Sequence, residues 1–458
     1  MRRRKADLRA RVNGQLTLRY ERGGLTSYAG LEFVRRYLRA LGFTATLRRE
    51  LARALPASDF GVVGMVLTVL AVLLSGGRRV RHLRYLGGDP VVLRFCGLRA
   101  LPSPRTVGRW LAAFRARHLP PLQWVNALVA ARVIRETGQR RLTIDVDGTV
   151  VSTGQQVRWA QRGYNPHHRK VPSYYPITAY EAQSGQVLRV QNRPGNVGDG
   201  KAGVPFLHAL CRQLAATLGR GYPLEFRMDG AFFRRDVLDL LARRGAEYAI
   251  KVPFYPWLGL TRRVRATRQW TAVTATVSCA EYRVPVAAWG GAAYRVVIYR
   301  THVQHETPKN FQLDLFDPSD GHYEYQAVVT NKALAGRALW AFMCGRGIHE
   351  KVYGELKSGF AFGSVPSMQY AANSAWQLLS VLAFNLTRSF QLATTARRRA
   401  GSRKRRALFA LESIHTLRAL CVQRAGVLVH PQGAATLDVG TAPAVVERFK
   451  RLDRLLAA

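Results

Sequence analysis

The chain has 458 residues, 48% of them hydrophobic and 21% charged, so it is long enough for two or three domains with real cores and too apolar for a disordered basic tail. It carries 70 Lys and Arg against 28 Asp and Glu, a formal charge of +42. A surface this basic repels itself and calls for a polyanionic partner, nucleic acid first. A bias from Lys to Arg would explain the arginine richness, but not the excess of basic over acidic residues. The five cysteines, Cys96, Cys211, Cys279, Cys344 and Cys421, are scattered with no CxxC pair. That supports neither a zinc ribbon nor a disulfide framework, and fits a reducing cytoplasm, with the nucleoid as the expected place of work. The basic start, Met1 to Lys5, runs into Asp7, Arg9 and Arg11 where a secretion signal needs an apolar stretch.

In chain order, residues 1–137 read as a mostly helical DNA-binding region. A short hairpin is expected over Gln15–Tyr20. Thr26 and Ser27 predict the cap of a helix over Tyr28–Leu41, where Leu31, Val34, Tyr37, Leu38 and Leu41 recur at helical spacing. Phe60–Leu74 is apolar but shorter than the roughly 20 residues that span a bilayer; it reads as a buried core helix, and no membrane partner is expected. Ser103–Leu111 follows a proline-rich break and predicts a capped helix presenting Arg105 and Arg109, which could enter a DNA groove. The plainer reading of such a helix is a solvated basic face.

From 138 to 254 strands and helices alternate. Leu142, Ile144 and Val146 point to one face of a strand, and Thr143, Asp145 and Asp147 to the other. Val171–Glu181 and Gln186–Asn192 predict a strand pair joined at Ser184-Gly185. Helix is expected over Gly200–Leu218, strand over Leu224–Met228, helix over Phe233–Arg244 and strand over Tyr248–Val252. This order, in an α/β chain, is that of an RNase H-like core with a mixed sheet flanked by helices. Residues 255–331 read as a β-rich insertion, and 332–395 as the second part of the core, again helical. A basic cluster at 397–406 opens a linker and C-terminal region, 396–458.

In a chain short of acids, three stand out. Asp147 lies in the first core strand, Asp229 follows the fourth in Arg227-Met-Asp-Gly230, and Glu350 sits on a later helix. Phosphodiester cleavage without a covalent intermediate is usually managed by two divalent cations, and hard cations demand carboxylate oxygens. Each acid also has a bland reading: Asp-Gly is a turn signal, and a helical Glu is commonly a solvated surface residue. Their conjunction at these places favours the metal reading. Arg346 and Lys357 share a helical face with Glu350, so that the bases could grip phosphate; an ordinary ion pair is the alternative. Asp145 points to the same face as Asp147 and is the ambiguity in the first motif, although the Asp-x-Thr pattern favours Asp147. The loop His167 to Lys170 is basic, with no second pair at ligand spacing.

The segment Arg346 to Phe360 resembles the Y-x2-R-x3-E-x6-K signature of bacterial insertion-sequence transposases of the DDE type. Further matches, at Leu25–Leu31, Asp147–Thr149, Gly163–Pro166, Arg193–Asn196, Arg227–Gly230, Thr416–Arg418 and Gly426, resemble the branch grouped as insertion sequence family 1380. The resemblance implies a cut-and-paste transposase that binds terminal inverted repeats and target sites in double-stranded DNA. It implies a homodimer on DNA, and Mg2+, with Mn2+ able to substitute, held as two ions by Asp147, Asp229 and Glu350. It places Arg346 and Lys357 on DNA. In relatives excision can pass through a hairpin, with the strand-rich insertion holding a flipped base; Trp257, Trp270 and Trp289 are the aromatics there. One position departs from the signature: its tyrosine is Met343, whose thioether cannot donate a hydrogen bond to phosphate. Two other readings compete, a repurposed DNA-binding descendant and a basic nucleoid structural protein.

Overall fold

A mixed sheet of nine strands organises the protein, a computed structural model that describes residues 23–154, 157–163, 170–302, 322–394, 409, 411–440 and 442–457. The expected hairpin at Gln15–Tyr20, the 397–406 cluster, His167–Arg169 and residues 164–166 lie outside the described residues. The strands are β1 (Leu142–Gly148), β2 (Ile177–Glu181), β3 (Gln186–Gln191), β4 (Leu224–Met228), β5 (Glu247–Val252), β6 (Thr271–Ala272), β7 (Val277–Pro285), β8 (Ala293–His302) and β9 (Tyr323–Thr330). Their order is β3-β2-β1-β4-β5-β9-β8-β7-β6. β1, β4 and β5 run parallel, and every other pairing is antiparallel. The strands of the 255–331 stretch continue this sheet: β9 pairs with β5, Ala327 opposite Val252.

Among the described residues, six α-helices precede the sheet: α1 (Leu31–Ala40), α2 (Phe43–Leu51), α3 (Gly61–Leu74), α4 (Pro90–Cys96), α5 (Pro104–Ala112) and α6 (Leu119–Glu136). α3 is apolar all round and buried on nearly every side, as a central helix requires. Among the described residues no helix is long and apolar enough to cross a membrane. Ser103 caps α5 as expected, its hydroxyl accepting from the Thr106 amide; Val107, Trp110 and Leu111 face the core while Arg105 and Arg109 stay exposed. The cap expected at Thr26 and Ser27 is different. α1 begins at Leu31, and Thr26 Oγ1 instead donates to the Asp89 carboxylate at 2.9 Å. Asp89 also caps α4, accepting from the Val91 and Val92 amides. A carboxylate already fixed at one helix start thus draws in the threonine that local sequence assigned to another.

Along the rest of the chain lie α7 (Asp199–Leu218), α8 (Arg235–Arg243), α9 (Leu260–Ala266), α10 (Gly336–Cys344), α11 (Gly347–Phe360), α12 (Tyr370–Thr394) and α13 (Pro443–Ala457). α12 is buried over most of its length and joins the N-terminal helices to the sheet. The sheet edge at β3 would expose unpaired backbone groups, and side-chain amides close it. Asn385 of α12 accepts from the Val187 amide and donates to its carbonyl, both at 2.9 Å. Gln123 of α6 does the same between Val190 and Leu188, at 3.1 Å each. The C-terminal segment returns to the start of the chain: Gly426–Val429 pairs with Leu25–Thr26, and Phe449 of α13 meets Phe33 edge-on at 4.8 Å. Arg418 is buried and donates to the carbonyls of Leu73, Leu74 and Gly359, tying this segment to α3 and α11.

Candidate active site

Side chains on the polar face of β1 and β4 meet in register. Parallel pairing sets Thr143 beside Glu225 and Asp145 beside Arg227; one residue beyond the last pair, Val146 with Met228, come Asp147 and Asp229. Each rung is neutralised differently. Thr143 donates to Glu225, which Lys332 also grips at 2.6 Å. Arg227 clamps Asp145 with two bonds of 2.6 and 2.8 Å, both side chains being buried. Asp145 is thereby committed to its neighbouring strand. For Asp147 the counter-charge comes from outside the sheet: Arg346, at the start of α11, lies 2.7 Å from Asp147 and 3.8 Å from Asp229.

A third carboxylate joins them. Asp199, the first residue of α7, is buried and accepts from Arg193 Nη2 at 2.6 Å and from the Tyr175 hydroxyl at 2.9 Å. Asp147, Asp199 and Asp229 each place a carboxylate oxygen within 4.8 Å of the others. Arg193 is fixed in turn, donating to the Tyr175 and Gly198 carbonyls at 2.7 and 3.2 Å. Its loop needs glycine: a Cβ on Gly195 would lie 2.4 Å from the Gln161 carbonyl oxygen, and one on Gly163 2.3 Å from that of Gly195. The Gly163 and Arg193–Asn196 motifs are therefore two backbones crossing at contact. Asp199 lies three residues beyond that motif and is not among the acids that sequence pattern singles out. An acid at a helix start, in a chain this short of acids, was the available signal.

Burial, with help from Asp229 and Asp199, pushes the Asp147 carboxyl up to about 7 against the opposing pull of Arg346. Burial likewise raises Asp229, and Arg346 opposes it. Two carboxylates with raised proton affinity, Asp147 and Asp229, crowded by a third, are oxygen donors that a hard divalent cation fits, because the cation relieves the desolvation and repulsion that raise them. Burial lowers the Arg346 guanidinium's proton affinity, but Asp147, Asp229 and Asp145 more than restore it, so its pKa stands above the usual value.

α11 holds the site through a chain of hydroxyls. Tyr353 donates to the Asp147 carbonyl at 2.7 Å, so its 2.8 Å contact with Thr178 must use the threonine proton. Thr178 then accepts from His349 Nε2 at 2.9 Å, which fixes the Nε2–H tautomer. His349 stacks between Tyr180 and Tyr353, and burial and then Arg346 hold its pKa down to about 3. Because the folded value lies below the ordinary 6.5, only the unfolded chain takes this proton as pH falls below 6.5. Stability should fall by about 1.4 kcal/mol per pH unit, about 2 kcal/mol by pH 5. A His349→Phe variant keeps the stacking and should lack that term. Urea denaturation of both proteins at pH 7.5 and 5.0 checks it; a wild-type-to-variant difference that is the same at both pH values would refute the assignment.

The remaining expected residues are placed as follows. Glu350 is exposed, one helical turn beyond Arg346, and does not belong to the three-carboxylate group. Lys357 is half-buried, and that burial lowers its pKa. Met343 packs partly buried against a small cluster with Leu339 and Phe342. Trp270 and Trp289 pack against the sheet core, while Trp257 is exposed and stacks on Tyr255 at 5.7 Å.

Comparison with curated proteins returned no match. Among solved structures, the cryo-EM structure of a piggyBac transposase synaptic complex with hairpin DNA is similar at a TM-score of 0.46 and 10% identity, covering 84% of this chain and 80% of that one. Residues 9–416 match the family model described as "Transposase DDE domain group 1". The chain belongs to the DDE transposases, the enzymes of DNA transposition and recombination.

Proposed function

We propose that this protein is a cut-and-paste transposase of the bacterial insertion sequence family 1380 branch, built on an RNase H-like core. It binds the terminal inverted repeats of its element and cuts and rejoins DNA as a homodimer. The observation that carries the reading is the convergence of Asp147 and Asp229 at the ends of two paired strands, with Asp199 beside them. The strand order β3-β2-β1-β4-β5 supports the RNase H-like core. Two magnesium ions would be held by Asp147 and Asp229, with Asp199 and Glu350 as the further carboxylates. When bound, they supply the charge that activates the attacking oxygen and stabilises the leaving one.

The chain's own residues prepare that chemistry. Tyr353 fixes the backbone of Asp147, and Arg193 and Tyr175 fix the carboxylate of Asp199. Arg346 balances charge between Asp147 and Asp229 and is a base placed to meet a DNA phosphate there; Lys357 follows on the same helix. Exposed Arg105 and Arg109 on α5 give the N-terminal helices a DNA-facing edge. Met343 at the signature tyrosine favours a second reading, a descendant that binds DNA without cutting it.

A labelled duplex carrying the element's own terminal repeat separates the two. With magnesium the wild-type protein should cut at the repeat boundary; with EDTA, or with Asp229→Asn, it should not. Tight binding without cutting, while a positive-control transposase cuts, would establish the second reading.

A further inference from the structure

Trp159 is held in an unfavourable backbone conformation and displayed to solvent. Its φ of 65° lies in the left-handed region, where a bulky side chain is rare, and 65% of its surface is exposed. Trp110 and Trp376, by contrast, are buried. The loop that presents it is pinned at Arg158, the residue before the tryptophan. The Arg158 amide donates to the Met368 carbonyl at 3.0 Å, and the Arg158 carbonyl accepts from the Tyr174 hydroxyl at 2.7 Å. Strain that is held in place this way points to use rather than accident.

Trp159 leans on Tyr370, ring centres 5.9 Å apart, and Tyr370 is itself locked by donating to the Asn192 carbonyl at 2.5 Å. The two rings, with Phe114 and Gln369, border an open cavity of about 470 Å³, whose charged members are Arg115 and Arg158, both exposed. Two rings and two guanidinium groups, with no acid among the lining residues, suit a ligand that is flat and negatively charged. The place is also connected to the carboxylates. Tyr174 holds the Arg158 carbonyl, and the next residue, Tyr175, donates to Asp199.

The geometry points to a stacking site for an unpaired nucleobase: Trp159 receives the base on its exposed face, and Arg115 and Arg158 take the flanking phosphates. This rests on the reading that the protein acts on DNA, and adds where a strand separated at the cut would be held. Bases inside a duplex have both faces covered by their neighbours, so the site discriminates for single strands or extruded bases.

The test measures affinity of the full-length protein for an oligo-dT single strand and for an intact duplex of mixed sequence, at one salt concentration, by fluorescence anisotropy. Trp159→Ala should weaken single-strand binding by about 5- to 150-fold and leave duplex binding within about twofold. Trp159→Phe, which keeps a ring, should retain most of the single-strand affinity. Trp159→Gly should lose single-strand affinity like the alanine variant, yet melt no lower than wild type, because glycine accepts the left-handed backbone. Equal binding by wild type and Trp159→Ala, or an equal loss on both DNAs, would overturn the proposal. Failure of the wild-type protein to bind either DNA would instead remove the DNA reading on which it stands.

Discussion

Asp147→Asn should lower magnesium-dependent DNA cleavage by about 1,000-fold or more while leaving the protein folded. The substitution keeps the size of the side chain and removes the charge that a divalent cation needs. The wild-type carboxylate, raised to about 7, is disfavoured in its ionised form by burial. Its folded value lies above the ordinary carboxylate range, so the penalty is present above about pH 7 and relieved as pH falls toward the unfolded value. The asparagine variant escapes it, and should be at least as resistant to urea as wild type at pH 8 without metal. Magnesium should raise the melting temperature of wild type, since a ligand that binds only the folded state stabilises it, and should raise that of the variant much less. Undiminished cleavage by Asp147→Asn, or an equal magnesium shift in both proteins, would remove Asp147 from the metal site.

Arg227→Met should cost about 3 to 5 kcal/mol of stability, the range for leaving one partner of a buried ion pair alone. Arg227 makes two bonds to Asp145 and donates to the Phe342 carbonyl at 2.9 Å, so one substitution strands a buried carboxylate and takes one of its donors from that carbonyl, which keeps the Gly345 amide at 3.2 Å. Asp145 already sits above the ordinary carboxylate range, because burial outweighs the pull of Arg227. Without its partner it can be accommodated by taking a proton, so the loss should be larger at pH 8 than at pH 5. The double variant Asp145→Leu, Arg227→Met removes both charges and should recover most of the stability. Denaturant midpoints for the three proteins at both pH values decide it: a single variant costing under about 1 kcal/mol would mean that the pair is not held as described.

Much of the fold was legible because it follows from local pattern. The alternation of Leu142, Ile144 and Val146 with Thr143, Asp145 and Asp147 marked a strand with two different faces, and that strand is β1. The uninterrupted apolar run at Phe60–Leu74 marked a helix buried all round, and α3 spans Gly61–Leu74. Thr26 was misread because the partner its hydroxyl donates to, Asp89, lies far along the chain; locally that hydroxyl accepts only from the Tyr28 amide, at 3.0 Å, ahead of the helix that starts at Leu31. Asp199 was missed for the same kind of reason: what makes it part of the site is Arg193, Tyr175 and the two strand ends, none visible in its own segment.

The sequence by itself determined which residues could be chemical: a few acids in a strongly basic chain, placed where a strand ends or a helix begins. The tertiary structure decided which of them meet. Parallel register between β1 and β4 gives Asp145 to Arg227 and brings Asp147 to Asp229. The start of α7 delivers Asp199, and the start of α11 sends Arg346 inward while Glu350, one turn on, faces solvent. The periodicity of a segment fixes which way its side chains point, but register and helix placement fix what they point at, and charge within a few ångströms is what chemistry reads.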